Sequence, residues 1–211
     1  MRRFGINTAD APVFRFELGG GFVLLFALLW FFDENGLLAA LVPVIFVHEL
    51  GHILFMLFFG AYPTRLRASL PGFEIDYSGN LSAFQEMLTA LAGPAFGLLF
   101  SALCARLGRL WDSDYLLLFS GLGFVVNVFN LLPAEPLDGG RVLGYALLKL
   151  LGVKRTHIIL SASGLLTTGF LAASGLYFIA RGLGPALFIA GVWLFILQRK
   201  KPCNEPRYGI K

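Results

Sequence analysis

The sequence predicts an all-α polytopic membrane protein. It reads as a single integral membrane domain, 1–211, with about six transmembrane helices, a short β-hairpin and a re-entrant loop on the cytoplasmic side. Three observations carry this. The chain is 57% hydrophobic and only 14% charged, where soluble domains hold about 45–50% apolar and about 25% charged residues. A soluble fold still exposes much of its area, so that much apolar surface has to face lipid. The apolar residues are gathered into runs near the roughly 20 residues that a helix needs to cross a hydrocarbon core. Finally, the basic residues alternate from one connection to the next.

Six spans follow from the runs: 18–32, 37–59, 85–107, 115–132, 157–180 and 183–198. The first and last are short. The first run ends in Phe32-Asp33-Glu34, not in a small-residue cleavage site, so it reads as a retained span rather than a signal peptide. A further stretch, 139–151, is apolar but too short to cross, which suits a surface or re-entrant helix. Fourteen of the 17 Lys and Arg lie in four segments: Arg2, Arg3 and Arg15; Arg65 and Arg67; Arg141, Lys149, Lys154 and Arg155; and the tail Arg199, Lys200, Lys201, Arg207 and Lys211. The other turns hold Arg106, Arg109 and Arg181, and the first turn is acidic at Asp33 and Glu34. The positive-inside rule places the four basic segments, and with them both termini, in the cytoplasm of a multi-pass cell-membrane protein. Membrane topology explains the +4 net charge without any nucleic-acid partner.

The 60–84 loop alternates apolar and polar residues at Arg65-Leu66-Arg67-Ala68, turns at Pro71-Gly72 and alternates again over Phe73-Glu74-Ile75-Asp76-Tyr77. That pattern predicts a β-hairpin over 65–77 at the cytoplasmic interface. The two cysteines, Cys104 inside a span and Cys203 in the basic tail, are placed for neither a disulfide nor a thiolate metal site.

The chemistry starts at His48-Glu49-Leu50-Gly51-His52, an H-E-x-x-H motif in the middle of the second span. On a helix, residues i and i+4 share a face, so both imidazoles reach one metal ion and the glutamate stands beside it as a base. Zinc suits two nitrogens and an oxygen in a tetrahedral shell. Ionisable groups at such depth cost roughly 2.5 kcal/mol or more each and mark function rather than helix glue. A catalytic zinc needs a third protein ligand, and Asp138, Glu135, Glu86 and His157 are the candidates near the cytoplasmic side. His52 lies about 10 Å below the inner end of its span at 1.5 Å per residue, so the third ligand has to dip into the membrane. The segment Asn130-Leu131-Leu132-Pro133-Ala134-Glu135-Pro136-Leu137-Asp138-Gly139-Gly140 has the prolines to break a helix and the glycines to turn tightly. Asp138 therefore ranks first, with His157 left open. Asn127, one turn before Asn130, reads as an interhelical hydrogen bonder.

Taken together, His48-Glu49-Leu50-Gly51-His52 and Asn130-x-x-Pro133-x-x-Pro136-Leu137-Asp138-Gly139-Gly140 resemble the site-2 protease family, and its compact bacterial branch that includes the stage IV sporulation protease. The resemblance covers roughly 40–145. It implies zinc held by His48, His52 and Asp138, water activated by Glu49, and substrate held by Asn130. One departure stands out: many relatives carry an asparagine three residues after the Gly-Pro of the third span, where this chain has Gly97. No PDZ-like insertion interrupts the chain.

The expected function is thus an intramembrane zinc metalloprotease, cutting a peptide bond in or near the transmembrane segment of a membrane-tethered protein within the lipid bilayer, with room for a regulatory membrane partner. Two other readings compete. A metal-binding pseudoprotease that retains membrane partners would have no need of Glu49. A metal-ion transporter would want polar residues continuing outward, where the last spans offer mainly Ser161, Ser163, Thr167 and Thr168.

Overall fold

The structure is a computed structural model that describes residues 14–200 apart from 32, 35, 70 and 71. Arg2, Arg3, the Pro71 turn and the tail from Lys201 to Lys211, with Cys203, lie outside the described residues. Six helices and three strands follow in the order β1 (Arg15–Leu18), α1 (Gly20–Phe31), α2 (Leu37–Phe58), β2 (Tyr62–Ser69), β3 (Gly72–Ser78), α3 (Ala83–Leu110), α4 (Asp114–Asn130), α5 (Asp138–Ala180) and α6 (Ala186–Lys200).

Helices α2 and α3 begin where polar side chains accept from their free amides. The Asp33 carboxylate accepts hydrogen bonds from the backbone N–H of Leu37 (2.9 Å) and of Leu38 (2.7 Å) at the start of α2. At α3 a reciprocal cap forms: Ser82 Oγ accepts from the Gln85 amide, and Gln85 Oε1 accepts from the Ser82 amide. Where helices cross, small residues let backbones approach, as expected in a bilayer where apolar burial no longer drives helix pairing. A Cβ on Gly51 of α2 would fall 2.6 Å from the Ala92 carbonyl oxygen of α3. On the outer faces Phe46, Phe58, Leu99 and Leu166 are largely exposed, which suits contact with lipid.

By length and composition α2, α3 and α5 can each cross a membrane, while α4 and α6 are shorter apolar helices. The predicted first span differs most. Residues 15–18 form a strand, and α1 has 12 residues, about 18 Å at 1.5 Å per residue. The predicted hairpin is present and longer, 62–78, as β2 paired antiparallel with β3. A third strand escaped the sequence reading: β1 pairs in parallel with β2, giving the order β1-β2-β3. Its signal is the short alternation Arg15-Phe16-Glu17-Leu18, four residues that overlap the predicted first span, 18–32, only at Leu18. Charge ties β1 in place. Glu17 Oε2 accepts from Arg67 Nε at 3.1 Å and Oε1 faces Arg65 Nη1 at 3.5 Å, while Arg65 Nε donates to Asp76 Oδ2 at 2.7 Å. The hydrogen bond from Arg67 holds the Glu17 carboxyl below its ordinary range.

The stretches 139–151 and 157–180, read as separate helices from the sequence, are two halves of α5 joined at a kink. Gly152 carries the kink with φ 72° and ψ 170°, a conformation open to glycine and strained for other residues.

Candidate active site

The second helix carries His48 and His52 one turn apart, both buried. Each ring is held from behind. His48 Nδ1 donates to Asn127 Oδ1 at 2.8 Å, and His52 Nδ1 donates to the Thr89 carbonyl oxygen at 2.8 Å. The asparagine's own orientation is set by its amide nitrogen, which donates to the Gly123 carbonyl at 2.7 Å and so turns Oδ1 to the ring. In the neutral rings, with both Nδ1 atoms donating, both Nε2 atoms present lone pairs.

Those lone pairs converge with the first residue of α5. Nε2 of His48 stands 3.2 Å from Nε2 of His52, and Asp138 Oδ2 stands 3.1 Å from the first and 3.3 Å from the second. Zinc bonds of 2.0–2.1 Å in a tetrahedron put ligand atoms about 3.3 Å apart, so this triangle has the dimensions of three zinc ligands. Two lone pairs and a carboxylate oxygen aimed at one point repel one another unless a cation stands among them. His48, His52 and Asp138 accordingly form the group among the described residues that could hold a metal ion.

Local backbone explains how Asp138 gets there. The segment 131–137 folds back with the Leu137 amide donating to the Ala134 carbonyl at 2.9 Å. A Cβ on Gly139 would overlap the Leu131 carbonyl, and one on Gly140 would come 2.5 Å from the Ala134 carbonyl carbon. The two glycines thus serve close approach in the first turn of α5, where the sequence suggested a tight turn. On α3, a Cβ on Gly93 would overlap the His52 ring, and one on Gly97 would overlap the Asn127 side chain. The absence of a side chain at Gly97 leaves the space that Asn127 fills from α4.

The other three candidates for the third ligand stand elsewhere. Glu86 is buried in α3 and accepts from Tyr77 Oη. His157 is exposed on the far half of α5. Glu135 lines the cavity described next but is outside the metal group. Asn127 is the interhelical hydrogen bonder the sequence suggested; that its partner is His48 is information from packing alone. Asn130 ends α4, where its amide donates to the Val126 carbonyl at 3.2 Å, and its side chain also borders the cavity.

A cavity of about 800 Å³ opens over the three side chains. It is lined by Glu49 on α2, by Glu74, Ile75, Asp76 and Tyr77 on β3, by Val126, Phe129 and Asn130 on α4, by Arg141 and Tyr145 on α5, and by Trp193 on α6. Glu49 thus borders the same cavity as both histidines.

No family model and no curated protein matches the chain. Among solved structures, the site-2 protease from Methanocaldococcus jannaschii superposes with a TM-score of 0.68 at 20% sequence identity, over 93% of this chain and 94% of that one. The likeness bears out in three dimensions the resemblance carried by the two motifs: this chain has the fold of a site-2 protease.

Proposed function

We propose that the protein is an intramembrane zinc metalloendopeptidase that hydrolyses a peptide bond in or near the transmembrane segment of a membrane-tethered protein. The observation that carries this reading is the triangle of His48 Nε2, His52 Nε2 and Asp138 Oδ2 beneath a cavity bordered by Glu49. A site-2 protease fold around that triangle supports it.

The donor set fits zinc, with three protein ligands leaving one position for water or substrate. Once bound, zinc would supply Lewis-acid activation of the scissile carbonyl and make water a stronger nucleophile near neutral pH. The chain's own residues do the rest. Glu49 accepts a proton from the attacking water and returns it to the leaving amine. Asn127 and Thr89 hold the imidazoles in the ligating tautomer. A helical substrate hides its amides, so it has to be unwound before attack. With the order β1-β2-β3, the outer edge of β3 has no neighbouring strand among the described residues, and residues 74–77 border the cavity. That edge can take up an unwound segment as an added strand, with Asn130 donating a further hydrogen bond.

The experiment is cleavage of single-span reporter proteins in liposomes by the purified chain. Cleavage should require zinc, stop on chelation and return when zinc is added back. Purified, zinc-replete protein that cuts none of a broad reporter set would count against the reading and favour a pseudoprotease.

Orientation belongs to the same proposal: both termini and the mouth of the cavity are cytoplasmic, as the basic segments require. Reporter fusions at Lys201 and within the 60–84 loop should read as cytoplasmic, and a fusion at Asp112, between α3 and α4, as external. A cytoplasmic signal at Asp112 would overturn the six-span arrangement and move the site to the other face.

A further inference from the structure

Glu86 is a buried carboxylate that the chemistry above leaves unused. It lies in the first turn of α3, where the helix dipole favours negative charge. An exposed side chain would gain that benefit equally, and the Ser82–Gln85 pair already caps the helix. A buried carboxylate is costly unless other groups hydrogen-bond to it, and here its partners come from two other elements. Tyr77 Oη of β3 donates to Glu86 Oε1. Tyr145 of α5 lies against both Glu86 and Arg141. One turn earlier on α5, Arg141 Nη1 stands 3.5 Å from Asp138 Oδ1, the carboxylate oxygen turned away from the two imidazoles. Contacts therefore run without a break from the free edge of the sheet to the third metal ligand: Tyr77, Glu86, Tyr145, Arg141, Asp138. Both tyrosines and the arginine border the cavity.

We propose that this chain of contacts is a latch that holds β3 at a fixed offset from Asp138, with Glu86 as the positioning residue that sets which bond of a docked substrate strand is cut. The inference rests on the protease reading. Successive residues of an added antiparallel strand are spaced by about 3.4 Å. A slip of β3 by that distance would bring the neighbouring peptide bond under Glu49 and Asp138. Arg141 gives the latch its second end, since it engages the one oxygen of Asp138 that faces away from the histidines.

The test separates the latch from the reaction. Nitroxide labels attached through Ser78→Cys on β3 and Lys149→Cys on α5, with Cys104→Ala and Cys203→Ala, report the offset by electron–electron distance measurement in liposomes. The unlatched variants are Tyr77→Phe, which removes a single hydroxyl, and Glu86→Gln, with zinc content confirming an intact site in each. A narrow distance distribution is expected with the latch intact and a broadened one in both variants. Equal narrowness in all three would overturn the latch whether or not any reporter is cut. Product termini from a library of single-span reporters are then mapped by mass spectrometry. The intact protein should cut each accepted reporter at one bond. Both variants should cut it at several adjacent bonds, with kcat lower by about ten- to a hundredfold and KM unchanged. A single unshifted bond cut at unchanged kcat would remove Glu86 from register selection. No cleavage by the intact protein would overturn the protease reading, while the distances would still decide the latch.

Discussion

Glu49→Gln is expected to keep zinc and to lose cleavage by about 10²- to 10⁴-fold. The substitution preserves the size of the side chain and removes a carboxylate that can take a proton. Zinc should stay because the three converging atoms belong to His48, His52 and Asp138, and Glu49 is outside that group. The fold should survive because a neutral amide is easier to bury than a charge, and Glu49 stands at the cavity wall. The measurement is reporter cleavage in liposomes with zinc content determined on the same samples. The result separates the competing functions. A pseudoprotease or a transporter has no hydrolysis to lose, and its binding or transport should persist in the variant. Undiminished cleavage by a zinc-loaded Glu49→Gln protein would remove Glu49 from the mechanism.

The second large effect concerns the metal itself. Purified protein should carry about one zinc per chain, as one three-ligand site predicts. His48→Ala and His52→Ala should empty it, and Asp138→Ala should weaken binding so far that zinc is lost on dialysis. Asn127→Ala should fall between these and the intact protein. It leaves every ligand atom in place but frees the His48 ring, a loss worth about 10- to 100-fold in metal affinity. His157→Ala should bind zinc as the intact protein does, because that side chain is exposed away from the cavity. Elemental analysis and competition with a zinc chelator would measure the series. Normal binding by Asp138→Ala together with loss in His157→Ala would overturn the ligand assignment.

Several features were legible from local pattern alone, and each has a local cause. The i, i+4 spacing of His48 and His52 puts both imidazoles on one helix face whatever else the chain does. Hydropathy marks apolar helices because backbone polar groups in lipid have to be paired within their own segment. Alternation over 65–77 marks strands because a hairpin pairs close neighbours in sequence. Even the break after Asn130 was visible, since two prolines cannot continue a helix.

Other features depend on contacts between residues far apart, and no local pattern encodes those. Strand β1 exists because Arg15–Leu18 meets Arg65–Ala68 across some 50 positions; a parallel pairing of four residues is too short to outweigh the apolar run that follows it. Among Asp138, Glu135, Glu86 and His157, chemistry alone offered four ligands. Asp138 is the one brought to the two histidines, because α5 packs on α3 with Gly139 and Gly140 pressed onto the 131–135 backbone. The same holds for Asn127, whose side chain could have bonded any neighbouring helix until the space at Gly97 admitted it to His48. By itself, then, the sequence determined a membrane-embedded H-E-x-x-H helix and a broken loop bearing carboxylates, because turn chemistry, helical periodicity and hydropathy act over a few residues. Which carboxylate completes the triangle, what holds each imidazole and which sheet edge borders the cavity came from packing. Those are questions of distance in space, set by close approach at glycines and by hydrogen bonds between elements that local sequence does not place side by side.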